Sequence, residues 1–176
     1  MVFVLKLYLG PMYAGKTTHL ISSVDSNTLV LDYSETGIYE SELISHNKET
    51  IKCVKLHRLC EILITTNNNI IGQLEKAKNI LINEAQFFPD LLDFIKTIEG
   101  YSVNVSVYGL DGDFERKPFG QILDIIPLCD TITKLNGKCY YCEKVSIFSK
   151  RITKDKEQYL IDENAYRPVC RLCYSK

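Results

Sequence analysis

Gly10-Pro11-Met12-Tyr13-Ala14-Gly15-Lys16-Thr17 is the segment that most limits what this chain can become. It fills every fixed position of the pattern G-x-x-x-x-G-K-[ST]. The flanks agree with it. Val2 to Leu9 is apolar and rich in β-branched and aromatic side chains, which predicts a buried strand. Thr17 to Val24 predicts the start of a helix. Strand, glycine loop and helix in that order form a phosphate-binding unit. The glycines let backbone N–H groups turn toward phosphate oxygens, and the helix N-terminus adds partial positive charge. Lys16 would reach the outer phosphates, and the Thr17 hydroxyl would sit on Mg²⁺. The eight residues Gly10, Pro11, Met12, Tyr13, Ala14, Gly15, Lys16 and Thr17 are therefore expected to bind a nucleoside triphosphate. A loop kept only for packing is the competing reading.

The rest of the composition narrows the class. With 176 residues, 45% of them hydrophobic, the chain can build one core of ordinary size and a small appendage. A net charge of -1 and a pI near 6.3 give no basic face for nucleic acid or an anionic membrane. No apolar run approaches the ~20 residues of a membrane span. The apolar N-terminus has no charged segment ahead of it, its first basic residue being Lys6, so a signal peptide is not expected. The expected location is cytoplasmic, with no nucleic-acid or membrane partner.

Strand-like and helix-like stretches alternate as far as Leu135. Strands are expected at Thr28–Tyr33, Asn79–Asn83, Val103–Tyr108 and Thr131–Leu135. Leu56, Leu59, Cys60 and Leu63 fall on one helical face, and Thr65 to Asn69 would stop that helix. Further helices are expected at Ile71–Lys76, from Pro89 through Ile98 with Gly100 ending it, and at Gln121–Ile126. Ser34 to Lys48 has no period and reads as a loop. The fold class is therefore α/β, a parallel sheet flanked by helices over residues 1–135. Residues 136–176 form a second, smaller unit.

That second unit carries Cys139-Tyr140-Tyr141-Cys142 and Cys170-Arg171-Leu172-Cys173. Two thiols three residues apart in a turn point at one centre, and two such turns complete the tetrahedron that Zn²⁺ prefers. The alternatives are two disulfides or four unrelated thiols; an odd total of seven cysteines and a reducing compartment argue against a disulfide framework. Four cysteine ligands leave no open position for water, so Cys139, Cys142, Cys170 and Cys173 predict structural zinc. The long insert would fold as a two-stranded lasso, Val145 to Arg151 out and Gln158 to Ile161 back. Cys53, Cys60 and Cys129 are read as small hydrophobes.

Glu84 follows the strand ending at Asn83. A strand end beside a P-loop is where a carboxylate can serve Mg²⁺ or take a proton from an attacking hydroxyl. A solvated surface glutamate is the competing reading; the P-loop and the two phenylalanines that follow favour the functional one.

Taken together the segments resemble the type II thymidine kinase family, the cellular and poxviral kind. The resemblance rests on the P-loop, on Glu84-Ala85-Gln86-Phe87-Phe88-Pro89-Asp90 and on Gly109 to Gly120. It extends through both cysteine knuckles, Phe148-Ser149-Lys150-Arg151 and Tyr166 to Tyr174, in the family's order over nearly the whole chain. It implies a RecA-like core, a zinc-bearing lasso lobe, and transfer of the ATP γ-phosphate to the 5′-hydroxyl of thymidine with Mg²⁺. It also implies a homotetramer and feedback inhibition. By resemblance, Glu84 is the catalytic base, and Phe87, Leu110, Phe114, Phe119, Ser149 and Tyr166 bind substrate. Arg151 and Arg116 are carried over as charge partners.

Some positions depart from the family's pattern. Asn83 stands where the family usually has Asp, and Ile38 where it usually has Arg. Asp162-Glu163 replaces a Gly-Gly turn, and Asn164 replaces a frequent Asp. The alternative function is accordingly a catalytically impaired relative that binds nucleotide or a partner. Restoring the acid with Asn83→Asp is expected from sequence to raise Mg²⁺ affinity or rate.

Overall fold

In the computed structural model, residues 2–45, 48–158, 160 and 162–176 are described. In chain order the elements begin β1 (Leu5–Leu9), α1 (Lys16–Ser22), β2 (Thr28–Tyr33), β3 (Tyr39–Ile44) and β4 (Thr50–Leu56). They continue α2 (Asn68–Lys76), β5 (Asn79–Ile82), α3 (Leu91–Ile98), β6 (Asn104–Gly109) and β7 (Thr131–Lys134). The C-terminal part adds β8 (Gly137–Lys138), β9 (Val145–Ser146), β10 (Phe148–Arg151), β11 (Tyr166–Val169) and α4 (Arg171–Tyr174).

Seven strands form one sheet in the order β3-β4-β2-β5-β6-β1-β7. All its pairings are parallel except β3 with β4. Alternation along the central strands sends neighbours to opposite faces. Leu29, Leu31, Ile80, Ile82, Val105 and Val107 join the larger core with Ile70 of α2 and Leu91, Phe94, Ile95 and Ile98 of α3. Val30, Leu81 and Tyr108 face the other way and meet Leu20 of α1. Each such side chain removed from water contributes roughly 1.5–3 kcal/mol. Because β1, β2, β5 and β6 run parallel, their C-terminal ends share one edge, where a ligand cleft belongs in such a sheet. Among the described residues no helix is long and apolar enough to cross a membrane.

The strands at one edge escaped the pattern reading. The stretch expected as a loop contains β3, paired antiparallel with β4 from Tyr39↔Lys55 to Ile44↔Thr50. Only Leu43 of β3 is buried, and the alternation of Tyr39 and Leu43 with Glu40 and Glu42 is broken by Ser41; ladder bonds to β4 make it a strand. Residues 46 and 47 of that stretch lie outside those described. Leu56 ends β4, and only Leu59–Leu63 turns, as a 3₁₀ segment.

Asp90 explains that turn: buried, it accepts from the backbone N–H groups of Leu59 and Cys60, both at 2.9 Å. Asn67, expected within a helix stop, instead caps α2, its Oδ1 accepting from Asn69 N at 3.0 Å. Pro89 precedes the cap of α3 and lies outside its first turn. Gln121–Ile126 makes successive turns rather than a helix, with 3₁₀ geometry at Ile126–Leu128. Ile122 and Ile125 reach the core from those turns, and Pro127 would remove a bond from any longer helix.

Beyond β7 the chain forms two small sheets, β8 with β9 and β10 with β11. β10 pairs with β11, with Ser149 opposite Pro168 and Arg151 opposite Tyr166, where a return strand at Gln158–Ile161 was expected. Gln158 lies in a bend, and Tyr159 and Ile161 of that expected strand lie outside the described residues.

Asp90→Ala should strand two buried donors and lower stability by about 2 kcal/mol or more. Urea unfolding should show a lower midpoint at unchanged slope. An unchanged midpoint would refute the capping role.

Candidate active site

The P-loop wraps the top of β1. Gly10 has φ 157°, and a Cβ there would lie 2.4 Å from the Leu135 carbonyl oxygen, so no larger residue fits. Gly15 (φ 79°) leads into α1. Lys16 is buried and folds back over its own loop, donating to the carbonyls of Gly10 (3.0 Å) and Pro11 (2.8 Å). Burial pushes the Lys16 ammonium below its ordinary value, and the Glu84 and Asp111 carboxylates pull it back up.

Glu84 follows β5 and takes a left-handed conformation at φ 48°, uncommon for a side-chain-bearing residue. Its Oε2 accepts from Gln86 Nε2 at 2.6 Å. Gln86 is itself buried, and its Oε1 accepts from Leu110 N at 2.9 Å. That second bond fixes which end of the amide faces Glu84. Gly120 (φ 57°) closes over the same residue; a Cβ there would stand 2.0 Å from the Gln86 carbonyl oxygen. Gln86 and Gly120 were missed as working residues, although both fall inside the motifs that carried the resemblance.

These groups border a cleft of about 860 Å³. Met12, Tyr13, Ala14, Gly15, Lys16 and Thr17 line it, while Gly10 and Pro11 sit behind and hold Lys16. Glu84 lines it, as do all six residues carried over for substrate: Phe87, Leu110, Phe114, Phe119, Ser149 and Tyr166. Phe87 meets Phe119 edge-on at 5.3 Å and Tyr33 at 5.2 Å, which makes a rigid aromatic wall. A flat, partly apolar ring can lie against such a wall.

The two arginines have other work. The Arg151 guanidinium lies 3.8 Å over the Phe114 ring and donates to the carbonyls of Asp155 (3.1 Å) and Gln158 (3.3 Å) and to the Tyr166 hydroxyl. That hydroxyl also accepts from Leu160 N at 2.9 Å. Arg151 thus holds the lasso loop against its own strands. Arg116 lies 4.3 Å over the Tyr174 ring. Neither arginine lines the cleft. Ile38 does not line it either and packs on the main core.

Asp32, Lys55 and Asn83 line the cleft, and so do Leu43 and Ile44 of β3. Of these only Asn83 stands out in the sequence, as a departure from the family's pattern. A single Asp in an apolar strand, and a strand not seen as one, carry no pattern to detect.

The four cysteines of the lobe converge, with all four sulfurs within 4.8 Å of one another and every thiol free. Cys142 lies 3.6 Å from Cys170 and 3.5 Å from Cys173, sulfur to sulfur. A tetrahedron with Zn–S of about 2.3 Å has edges of about 3.8 Å, so this set could hold a metal such as zinc. Within the cluster desolvation raises the Cys139 thiol but backbone N–H groups bring it down to about 6, while the neighbouring sulfurs, Cys142 above all, push Cys173 up to about 12. A thiolate is the form a metal needs. Among the described residues, the apolar cluster at the knuckles is small: Cys139, Val169 and Cys170 with Phe148, Cys173 and Tyr174 around them.

Metal analysis of the purified chain should return about one zinc ion, and chelation should lower the thermal midpoint and open the lobe to protease. A metal-free chain with the same midpoint would refute the assignment.

A family model described as thymidine kinase matches residues 3–174. The chain is 35% identical to the thymidine kinase of Vaccinia virus (strain Ankara), the match covering 97% of this chain and 96% of the relative. Identity and coverage are the same for the thymidine kinases of Variola virus (isolate Human/India/Ind3/1967) and Monkeypox virus. A P-loop, a buried lysine facing a glutamate and a Cys₄ lobe thus coincide with similarity along nearly the whole sequence, and the chain belongs to the thymidine kinase family.

Proposed function

We propose that this chain transfers the γ-phosphoryl group of ATP to the 5′-hydroxyl of thymidine. The observation that carries the reading is the meeting of Lys16 and Glu84 in one cleft, near enough that the Glu84 carboxylate shifts the lysine electrostatically. On one side stand the P-loop amides and a cation, suited to a triphosphate. On the other stand Phe87, Phe119, Phe114, Leu110 and Tyr166, suited to a nucleoside.

Glu84 takes the proton of the 5′-hydroxyl while that oxygen bonds to the γ-phosphorus. The bond from γ-phosphorus to the bridging oxygen breaks, and ADP leaves with the electron pair. Lys16 exchanges its carbonyl partners for phosphate oxygens and balances their charge. Thr17 and Asn83, with Glu84 beside them, present the oxygen donors that Mg²⁺ accepts, so the residues fit the ion. Bound there, Mg²⁺ would neutralise phosphate charge.

A kinase assay over the four deoxynucleosides tests the reading, with thymidine expected as the preferred acceptor. Tight ATP binding without turnover on any of them would establish the non-catalytic alternative instead. Glu84→Gln should cut kcat by about 10²-fold or more while ATP still binds; full activity would remove Glu84 as the base.

Gln86→Leu keeps the volume but removes the donor to Glu84. Its kcat should fall about 10–100-fold, well beyond any rise in KM from the Leu110 N–H that also loses its acceptor, because the base is misplaced. A change confined to KM would assign Gln86 to substrate binding.

A further inference from the structure

Asn83 is neutral where the family usually carries an acid, yet its amide is not idle. Its Nδ2 donates to Asp32 Oδ1 at 2.9 Å. Asp32 is only 5% exposed and Asn83 4%. The other carboxylate oxygen, Asp32 Oδ2, pairs with Lys55 Nζ at 3.3 Å, from the residue directly opposite on β4. All three residues line the cleft that holds Lys16, Thr17 and Glu84.

Burying a carboxylate costs several kcal/mol of desolvation, which one partly exposed lysine does not offset well. An aliphatic residue in β2 would pack there more cheaply. The amide geometry suggests what the acid does. A carboxylate can only accept, so the Asn83 NH₂ must face Asp32, and its Oδ1 is turned the other way. Hydrogen bonding of the NH₂ to an anion polarises the amide and makes that oxygen a stronger acceptor.

We propose that Asp32 is a positioning residue that supplies the charge position 83 lacks, acting through the Asn83 amide on the Mg²⁺ that accompanies ATP. The proposal rests on the kinase reading. Asp32 and Asn83 then act as a divided acid, with the charge one residue back from the ion and the oxygen in front. Lys55 tempers that charge. The arrangement also reverses the expectation for Asn83→Asp, since a second carboxylate at 83 would lie against Asp32 and repel it.

The test measures Mn²⁺ affinity by electron paramagnetic resonance, with the nonhydrolysable analogue AMP-PNP bound and Mn²⁺ standing in for Mg²⁺. Wild type should bind the Mn²⁺–nucleotide complex. Asp32→Asn should loosen Mn²⁺ about 10-fold or more, the effect expected of a residue that orients a metal-facing group. Asn83→Asp alone should also loosen it. The exchanged pair, Asp32→Asn with Asn83→Asp, should recover to within about 3-fold of wild type, because an amide then donates to the new carboxylate.

Lys55→Met covers the case in which Asp32→Asn does not fold. It removes the tempering charge and should tighten Mn²⁺ about 2-fold or more, whereas a merely structural ion pair predicts loosening. Equal affinities in wild type and Asp32→Asn, or no recovery in a folded exchanged pair, would overturn the role of Asp32 and leave the kinase reading intact. Failure of wild type to bind the nucleotide complex would overturn both.

Discussion

A buried ammonium is the constraint around which this cleft is arranged. Lys16 gives up water and gains two backbone carbonyls, which take two of its three N–H donors and leave its charge unpaired by them. The Glu84 and Asp111 carboxylates offset part of the cost of burying that charge, and the ammonium stays below its ordinary value. Those carboxylates stand where they do because β5 and β6 run parallel to β1 and end at the same edge. The parallel order of the sheet is thus what brings the loop after β1 opposite the loop after β5.

The small lobe is fastened to this cleft by polar contacts rather than by a shared core. Ser149 Oγ accepts from Met12 N at 2.9 Å, tying β10 to the P-loop. Tyr174 donates to the Phe114 carbonyl at 2.7 Å, and Gln158 donates to Asp113 at 3.1 Å. Ser149 thereby has a role its carried-over position did not suggest, since its hydroxyl bonds the glycine loop while it lines the cleft. A lobe attached through a few directional bonds transmits its own order directly to the loop it touches.

Legibility in the sequence followed the range of the interactions. The P-loop, the cysteine knuckles and the apolar strands are local patterns, and each was readable from spacing alone. β3 was not, because Ser41 interrupts the face that Tyr39 and Leu43 share, opposite Glu40 and Glu42, and its partner strand defines it. The turn at Leu59 depends on Asp90, far along the chain, and no window of residues contains both. The lasso's return strand was misplaced for a related reason. Arg151 holds residues 155–158 by its side chain, so that stretch sits near β10 without pairing to it, and β11 takes the ladder.

The departures from the family's pattern look different once distances replace alignment. Ile38 packs on the main core, so a guanidinium at that position is exchanged for apolar burial outside the cleft lining. Asn83 surrenders a charge, but Asp32 holds one at hydrogen-bond distance behind it. Asn83 and Asp32 make one connected group, in which the amide gives the buried carboxylate a second partner beside Lys55. Read singly, an asparagine in place of an acid implies a weakened metal site. Read as a pair, the acid has moved back by one residue and the amide carries its field forward, which leaves the electrostatics of the cleft close to what a carboxylate at 83 would give.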